Sequence, residues 1–242
     1  MKKDILFVLL TVLLSSCFEL DNYDAPNAGI NGSLIDSETG EVVYTEQPDG
    51  CRIKLLDLGY KDPTPLYFWA KANGTFRNIA LFGGDYRVSP IEGPFFPVAE
   101  EELTLKGVTD HNFKVTPYLK VKLVEVIPGE TGKVTVKFSL KRSAVPEGME
   151  IGKKTISEVW LLCNTVPVVS YYNGGYNDGL SVKKTLSRTS DETIESKDQE
   201  ITLDKLESGV KYYLCLAALS SCSYNSTLKR YNYSEIFEFV AP

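Results

Sequence analysis

The chain has 242 residues, a net charge of -6 and a pI of about 5.0, and 43% of its residues are hydrophobic. This composition is typical of a globular protein with enough apolar side chains for one large core or two smaller ones. The acidic balance and the absence of a cluster of Lys and Arg argue against a nucleic-acid partner, because phosphate binding needs a concentrated positive surface.

Residues 1–16 predict a secretory signal. Lys2 and Lys3 precede an apolar stretch over residues 5–14, which is much shorter than the roughly 20 residues that a membrane span needs. The sequence "LSSC" that ends at Cys17 resembles the lipobox of bacterial lipoproteins. That resemblance implies cleavage before Cys17 and lipidation of its thiol and new amino group, which would hold the mature protein on a membrane that it does not cross. A plain signal peptide with an incidental cysteine is the alternative.

Residues 17–27 predict the lipidated cysteine and an extended tether, because the segment is polar and acidic and contains Pro26. Its residues Glu19, Asp21 and Asp24 resemble the surface-export signals of Bacteroidetes lipoproteins. The expected location is therefore the outer membrane, on the cell surface, with the periplasmic leaflet left open as the alternative.

Four cysteines remain if Cys17 is lipidated, namely Cys51, Cys163, Cys215 and Cys222. An exported compartment permits disulfides, and four cysteines allow three complete pairings, among which the sequence does not choose. Cys163 and Cys215 lie in strand-like runs and also fit the role of small buried side chains. No CxxC spacing occurs and no histidine lies near these cysteines, so no zinc site is predicted.

Residues 28–117 predict a first β-sandwich of short strands separated by turns. Asn73-Gly74 predicts a two-residue hairpin turn, because both residue types tolerate positive φ. The segment "GSLIDSETGEVV" over residues 32–43, and Asn73 to Phe76 followed by Leu81 to Val88, resemble the motifs of carboxypeptidase regulatory-like, transthyretin-like domains. That resemblance implies a spacer, a folding aid or a binding platform, and brings no active site with it.

Residues 118–242 predict a second, Ig-like or fibronectin type III-like sandwich, so the expected fold class is all-β with two tandem antiparallel sandwiches. "LKVKLVEVI" and "GKVTVKFSLK" alternate with the period of half-buried strands. Leu206, Gly209 and Tyr212 resemble the fibronectin type III signature, in which the tyrosine hydroxyl bonds the preceding backbone. Trp160 is expected to belong to the core of this sandwich.

The whole arrangement resembles a Bacteroidetes outer-membrane lipoprotein family of unknown function, with a "DNYDAPNA" tether over residues 21–28. Members of that family accompany glycan uptake systems of the starch-utilisation type. The resemblance implies a non-catalytic accessory in polysaccharide binding or uptake, with the membrane, a glycan and an uptake transporter as partners. The alternative is a structural spacer or an interaction module that docks a membrane uptake partner.

No catalytic set, metal site or cofactor site is predicted. The single histidine, His111, lies in the turn "VTDHNF" and is expected to be solvated. Acidic residues cluster at 99–102 and 190–200, where they are expected to form solvated loops. A general acid needs a buried carboxyl with a raised pKa, so these loops favour a protein that is not an enzyme.

Candidate ligand residues come from "SYYNGGYNDGLS", residues 170–181, which offers aromatic rings beside amide and carboxylate groups: Tyr171, Tyr172, Asn173, Tyr176, Asn177 and Asp178. The alternative is a turn at Gly174-Gly175 that happens to be aromatic. The loop is expected at one end of the second sandwich, so that Tyr171 and Tyr231 would not share a site. Trp69 would form a second glycan surface if it were exposed, although a buried position is expected.

Overall fold

A computed structural model describes residues 24–150, 156–172, 174–225 and 228–242. Within these ranges the chain is almost entirely β, which confirms the predicted fold class. The predicted signal at residues 1–16 and the lipidation site Cys17 lie outside the described residues, and so does Asn173. In the described part of the chain, no helix is long and apolar enough to cross a membrane. The domain limits given above stay a prediction.

Eight strands form the two sheets of the first sandwich. They are β1 Ala28–Asp36, β2 Arg52–Asp57, β3 Leu66–Trp69, β4 Thr75–Leu81, β5 Gly84–Ile91, β6 Glu101–Leu105, β7 Gly107–Asp110 and β8 Phe113–Val115. One sheet has the order β3-β2-β5-β6, which leaves β3 and β6 at its edges. The other has the order β4-β1-β7, with β8 also paired to β1. Strand β1 pairs parallel with β7 and β8, so this sheet is mixed rather than purely antiparallel.

The core of the first sandwich follows the period-2 alternation of its strands. Ile53 and Leu55 of β2 point inward and are fully buried, whereas the alternating residues Arg52 and Lys54 lie on the outer face. Phe76 and Phe113 meet in this core with their ring centroids 5.4 Å apart. Each such buried side chain stabilises the fold by about 1.5–3 kcal/mol relative to an exposed one.

The turn at Asn73-Gly74 does not make the predicted hairpin. Gly74 has the expected positive φ of 70°, and its N–H donates to the Lys71 carbonyl at 2.8 Å. However, β3 before the turn pairs with β2 in one sheet, and β4 after it pairs with β1 in the other. The turn therefore carries the chain from one sheet to the other. Local turn chemistry was predicted correctly, whereas the partner of each strand depends on long-range packing.

Over its described residues, the second sandwich contains eight more strands and one short α-helix, besides a 3₁₀ turn at Ser223–Asn225. They are β9 Leu119–Pro128, β10 Val134–Arg142, β11 Ile156–Asn164, β12 Val182–Thr185, α1 Asp191–Glu195, β13 Gln199–Leu203, β14 Lys211–Ser220, β15 Tyr231–Tyr233 and β16 Phe237–Val240. One sheet has the order β13-β10-β9, and the other has the order β12-β11-β14-β15 with β16 also paired to β14. The hydroxyl of Tyr212 accepts a hydrogen bond from the Glu207 N–H at 3.0 Å, as the corner motif predicts.

Helix α1 corrects the expectation that residues 190–200 form a solvated acidic loop. Ser190 caps the helix by accepting the Thr193 N–H. Its carboxylates surround Arg142, whose guanidinium lies 3.2 Å from Asp191 Oδ2 and 2.8 Å from Glu195 Oε2. Hydrogen bonding to Glu195 raises the pKa of Arg142, and the same contact lowers the pKa of Glu195. This network ties the helix to β10.

All four cysteines that the structure describes are free and buried. Burial raises the pKa of Cys51, Cys163 and Cys215 to about 12, so these thiols stay protonated at neutral pH. They act as small apolar side chains, which for Cys163 and Cys215 was one of the two roles left open by the sequence.

Hydrogen bonds hold the two sandwiches against each other. The Gln47 N–H donates to Ser170 Oγ at 2.9 Å, and Arg230 Nε donates to the Glu92 carbonyl at 3.0 Å. Asn232 Nδ2 donates to the Pro94 carbonyl at 2.8 Å from a buried position. These bonds bring the outer face of the β12-β11-β14-β15 sheet close to the first sandwich.

Candidate functional site

Four aromatic rings gather on the outer face of the β12-β11-β14-β15 sheet, and we call them the aromatic cluster: Trp160, Tyr171, Tyr176 and Tyr231. The Tyr171 and Tyr176 rings are stacked within 9° of parallel, with their centroids 5.6 Å apart. Trp160 lies 5.3 Å from the Tyr171 centroid and 5.9 Å from that of Tyr176. Trp160 is half-buried in this cluster and does not belong to the main core between the sheets, which corrects its predicted role.

The segment over residues 170–181, which we call the tyrosine loop, lies over the face of the sheet and not at the end of the sandwich. The Asn177 N–H donates to the Cys163 carbonyl of β11 at 2.7 Å, and the Tyr171 N–H donates to the Tyr233 hydroxyl at 3.1 Å. The Tyr171 and Tyr231 rings are 4.5 Å apart. The prediction that these two tyrosines cannot share a site was therefore wrong, because the loop returns across β14 to β15.

The remaining predicted loop residues have mainly structural contacts. The Tyr172 ring covers Gly175 so closely that a Cβ added there would lie 2.3 Å from its Cε1 atom. Asn177 Oδ1 accepts the Gly179 N–H at 3.0 Å, which uses its amide to hold the turn. Asp178 is exposed next to it. Of the predicted set, Tyr171 and Tyr176 are thus brought together with Trp160, while Asn177 and Asp178 form the adjoining turn.

An ion pair between exposed Lys183 and half-buried Glu158 supports one side of the aromatic cluster. Lys183 Nζ lies 2.5 Å from Glu158 Oε2 and 5.7 Å from the centroid of the Trp160 ring. The Tyr231 hydroxyl donates to Glu158 Oε1 at 2.6 Å. Burial raises the pKa of Glu158, but the hydrogen bonds from Lys183 and Tyr231 outweigh it, so the pKa lies below its usual value. The ion pair holds Tyr231 and Trp160 in fixed positions.

The first sandwich supports the other side of the cluster through Glu46. The Tyr233 hydroxyl donates to Glu46 Oε2 at 3.2 Å while it accepts the Tyr171 N–H. Tyr44 also packs against the cluster from this side. Burial raises the pKa of Glu46 to about 7, because the partly opposing effects of Arg230 and Tyr233 are smaller. Glu46 therefore connects the position of the tyrosine loop to the contact between the sandwiches.

A second aromatic surface lies on the edge strand β3, and we call it the β3 platform: Tyr67, Trp69 and Arg52. Trp69 is 41% exposed and Tyr67 is 46% exposed, so the expectation that Trp69 is buried was wrong. The two rings lie on the outer face, two residues apart, and Phe68 between them points inward. The alternation predicted that Tyr67 and Trp69 share a face, but not which face lies against the core.

Arg52 holds the β3 platform together. Its guanidinium carbon lies 4.6 Å from the centroid of Tyr67 and 5.5 Å from that of Trp69, within the range of cation–π contacts. The guanidinium pairs with both carboxylate oxygens of Glu92, and its Nε to Oε2 distance is 2.7 Å. Hydrogen bonding to Glu92 raises the pKa of Arg52. The sequence interpretation missed Arg52, although its position between buried Cys51 and Ile53 already places it on the outer face.

His111 corrects the expectation of a solvated histidine. It packs edge-on against Phe113 at a centroid distance of 4.8 Å, and its Nε2 lies 3.2 Å from Glu101 Oε2. Within the described ranges, His, Cys, Asp and Glu side chains form no group of three or more that could hold a metal ion.

The fold and its surfaces define a class of protein: an all-β protein with paired sandwiches and aromatic side chains on their outer faces. Residues 28–116 match the family described as "Protein of unknown function (DUF3823) N-terminal domain". No curated protein matches the chain.

Solved structures with the same fold cover most of the chain. A DUF3823 family protein from Bacteroides uniformis ATCC 8492 is 22% identical with a TM-score of 0.77, over 90% of this chain and 100% of that one. A protein from the same strain, named "putative carbohydrate binding protein", is 23% identical with a TM-score of 0.68, over 89% and 99% of the two chains. A DUF3823 family protein from Parabacteroides merdae ATCC 43184 is 20% identical with a TM-score of 0.66, over 89% and 100%. At these identities the likeness shows a common fold.

The raised pKa of Glu46 predicts a pH dependence of stability that Glu46→Gln removes. The folded protein keeps a proton on Glu46 up to about pH 7, whereas the unfolded chain releases it near pH 4.3. The stabilisation is therefore complete below about pH 4.3 and is lost as the pH rises through about 7. Because Glu46 is only partly buried, solvent screens this effect, so urea unfolding should show the free energy of unfolding of Glu46→Gln rising by roughly 1–2 kcal/mol relative to that of wild type from pH 4.5 to pH 8.

The exposed residue Glu147 offers the matched control for this measurement, because Glu147→Gln removes the same charge from the surface. Parallel stability profiles for wild type and Glu46→Gln across this pH range would contradict the prediction.

Proposed function

We propose that this protein is a non-catalytic, lipid-anchored accessory that binds polysaccharide at the outer membrane. The observation that carries the proposal is the β3 platform, in which Tyr67 and Trp69 expose their rings on one face of the strand. Arg52 lies against the Tyr67 ring and pairs with Glu92. Aromatic rings of this kind offer a flat apolar area to the C–H face of a sugar ring, and Arg52 offers hydrogen-bond donors to its hydroxyls.

The platform is held in its binding geometry before any ligand arrives. Arg52 is fixed by a bidentate pair with Glu92, and the Glu92 carbonyl accepts a bond from Arg230 of the second sandwich. Lys54 pairs with Glu100 at 2.7 Å on the same face. Side chains that are already ordered lose less conformational entropy on binding, which favours affinity.

The aromatic cluster supports the same function more weakly. Tyr171, Tyr172 and Tyr176 are only half-buried, and Asn177 and Asp178 beside them are exposed. The rings are largely used in packing against Trp160 and Tyr231. We therefore assign the cluster a secondary role as a ligand surface. The printed name of the Bacteroides uniformis relative supports carbohydrate as the class of ligand.

The anchor would place these surfaces close to the membrane. Residues 17–27 would form the tether, which at about 3.5 Å per residue reaches at most roughly 40 Å. Strand β1 begins at Ala28, so the first sandwich follows the tether directly. The uptake transporter that we expect as a partner would lie in the same membrane.

A docking module without a glycan ligand is the second candidate, and one observation favours it. Ile79 and Val108 are 55% and 54% exposed on the sheet that contains β1, where Gly29 between them has no side chain. Such an apolar area suits contact with another protein. Stoichiometric recovery of an outer-membrane transporter, together with no polysaccharide retention, would favour this candidate.

The platform predicts that Trp69→Ala weakens polysaccharide binding by about tenfold, because it removes the largest exposed ring. Native gels that contain soluble plant, host or microbial polysaccharides measure this as loss of retardation. Tyr67→Ala should have a smaller effect in the same gels, since the tyrosine ring is smaller.

The matched control is Tyr224→Ala, because Tyr224 is 41% exposed, as Trp69 is, but lies outside the platform. If retardation in the gel survived Trp69→Ala and fell with Tyr176→Ala, the ligand site would be assigned to the aromatic cluster instead. Absence of retardation of wild type in every gel would remove the glycan-binding role of the β3 platform and of the aromatic cluster.

The anchor predicts that Cys17→Ala leaves the protein in the soluble fraction when the chain is expressed in a Bacteroides host. Wild type should sediment with the outer membrane and incorporate labelled palmitate, because the acyl chains provide the attachment. The control is Cys51→Ala, which removes a buried thiol and should leave sedimentation unchanged. Sedimentation of Cys17→Ala with the membrane would contradict lipidation at this residue.

A further inference from the structure

A cleft of about 950 Å³ opens at the end of the first sandwich that is remote from the second. Three segments form it: the turn after β2, the turn between β4 and β5, and the end of β6. Strand β5 runs from the cleft at Gly84 to the opposite end at Ile91, where Glu92 and Pro94 contact the second sandwich. The cleft is therefore separate from the aromatic cluster.

Two exposed rings stand in the lining of this cleft. Tyr60 is 70% exposed and Phe82 is 48% exposed. Between them the lining is bare backbone at Gly59, Gly83 and Gly84, where a ligand can approach the chain closely. Gly84 belongs to the segment Leu81 to Val88 that resembles the transthyretin-like motif. A volume of this size holds a ligand of a few sugar rings.

Polar groups in the cleft are already positioned. Thr104 Oγ1 donates to Asp85 Oδ1 at 2.6 Å, and the Gly59 N–H donates to Asp57 Oδ1 at 2.9 Å. A carboxylate accepts about four hydrogen bonds, so both side chains retain capacity for ligand hydroxyl groups. Hydrogen bonds to a carboxylate are roughly twice as strong as those between neutral groups.

The charge of the lining restricts the ligand. Asp57, Asp85 and Glu102 line the cleft, and no Lys, Arg or His belongs to the lining that the structure describes. A sugar with a carboxylate or sulfate group would be repelled here. We infer that this cleft is a second glycan subsite that takes sugar units without acidic groups. The inference rests on the proposed glycan-binding function and adds a site and a ligand class to it.

Amide resonances of the three glycines test the subsite directly, in ¹⁵N-labelled protein that spans residues 18–242. The neutral probes are maltotetraose, cellotetraose, mannotetraose and galactotetraose. Tetragalacturonic acid is the acidic counterpart of galactotetraose. At least one neutral probe should shift the Gly59, Gly83 and Gly84 amides, and the acidic probe should bind at least about tenfold more weakly.

Two variants locate the response. Tyr60→Ala removes an exposed ring, and Asp85→Asn removes a charge while keeping an oxygen for Thr104. Each should weaken the affinity for the neutral probe, measured from the glycine shifts, by about tenfold. Trp69→Ala should leave the glycine shifts unchanged, which separates this subsite from the β3 platform. If wild type showed no retardation in any polysaccharide gel while its glycine amides still shifted, the platform would be removed and the cleft would remain.

Three results would overturn the inference. They are glycine amides that respond to none of the neutral probes, an equal response to tetragalacturonic acid, and shifts that survive both Tyr60→Ala and Asp85→Asn.

Discussion

A sheet with apolar side chains on both faces must be covered on both sides, and the second sandwich depends on this constraint. The inner face of its β12-β11-β14-β15 sheet packs in the main core, while Leu162, Cys215 and Ala217 are buried on the outer face. Because exposing these apolar side chains to water would be unfavourable, another segment has to cover that outer face. The tyrosine loop provides the cover, and Tyr44 from the first sandwich adds to it. The packing of Tyr171 and Tyr176 follows from this requirement.

The same constraint explains why the β3 platform is the better binding surface. Tyr67 and Trp69 stand on the outer face of their sheet, paired with Lys54 and Arg52 of β2, and both rings stay exposed there. The rings of the aromatic cluster, by contrast, use much of their area on one another. Exposed rings held by an ion pair provide contact area at small entropic cost. The contact of Arg230 with the Glu92 carbonyl joins this platform to the second sandwich.

Local patterns predicted those parts of the fold that depend on neighbouring residues. Period-2 alternation located most strands, and the spacing from Leu206 to Tyr212 predicted the bond from the Glu207 N–H to the tyrosine hydroxyl. Asn73-Gly74 marked a turn, but its two strands enter different sheets, because strand partners are chosen by distant parts of the chain.

The candidate sites were harder to predict, because each depends on which face of a strand meets the core. The alternation of Tyr67, Phe68 and Trp69 allows either face inward, and the register decides it, because Phe68 is paired with buried Ile53 of β2. The contact between Tyr171 and Tyr231 requires the loop to cross two strands, which no local pattern encodes. Asp191 was expected in solvent and is buried, because Arg142 of a distant strand pairs with it.

Intrinsic fluorescence gives the most direct test of the claim that glycan meets the β3 platform. The chain has two tryptophans, Trp69 and Trp160, which lie on the platform and in the aromatic cluster. Trp160→Phe leaves Trp69 as the single reporter of the platform, and Trp69→Phe leaves Trp160 as the single reporter of the aromatic cluster. During titration with a soluble polysaccharide, the emission of Trp160→Phe should change as wild type does, and that of Trp69→Phe should change much less. A change confined to Trp69→Phe, or no change in Trp160→Phe, would contradict the account.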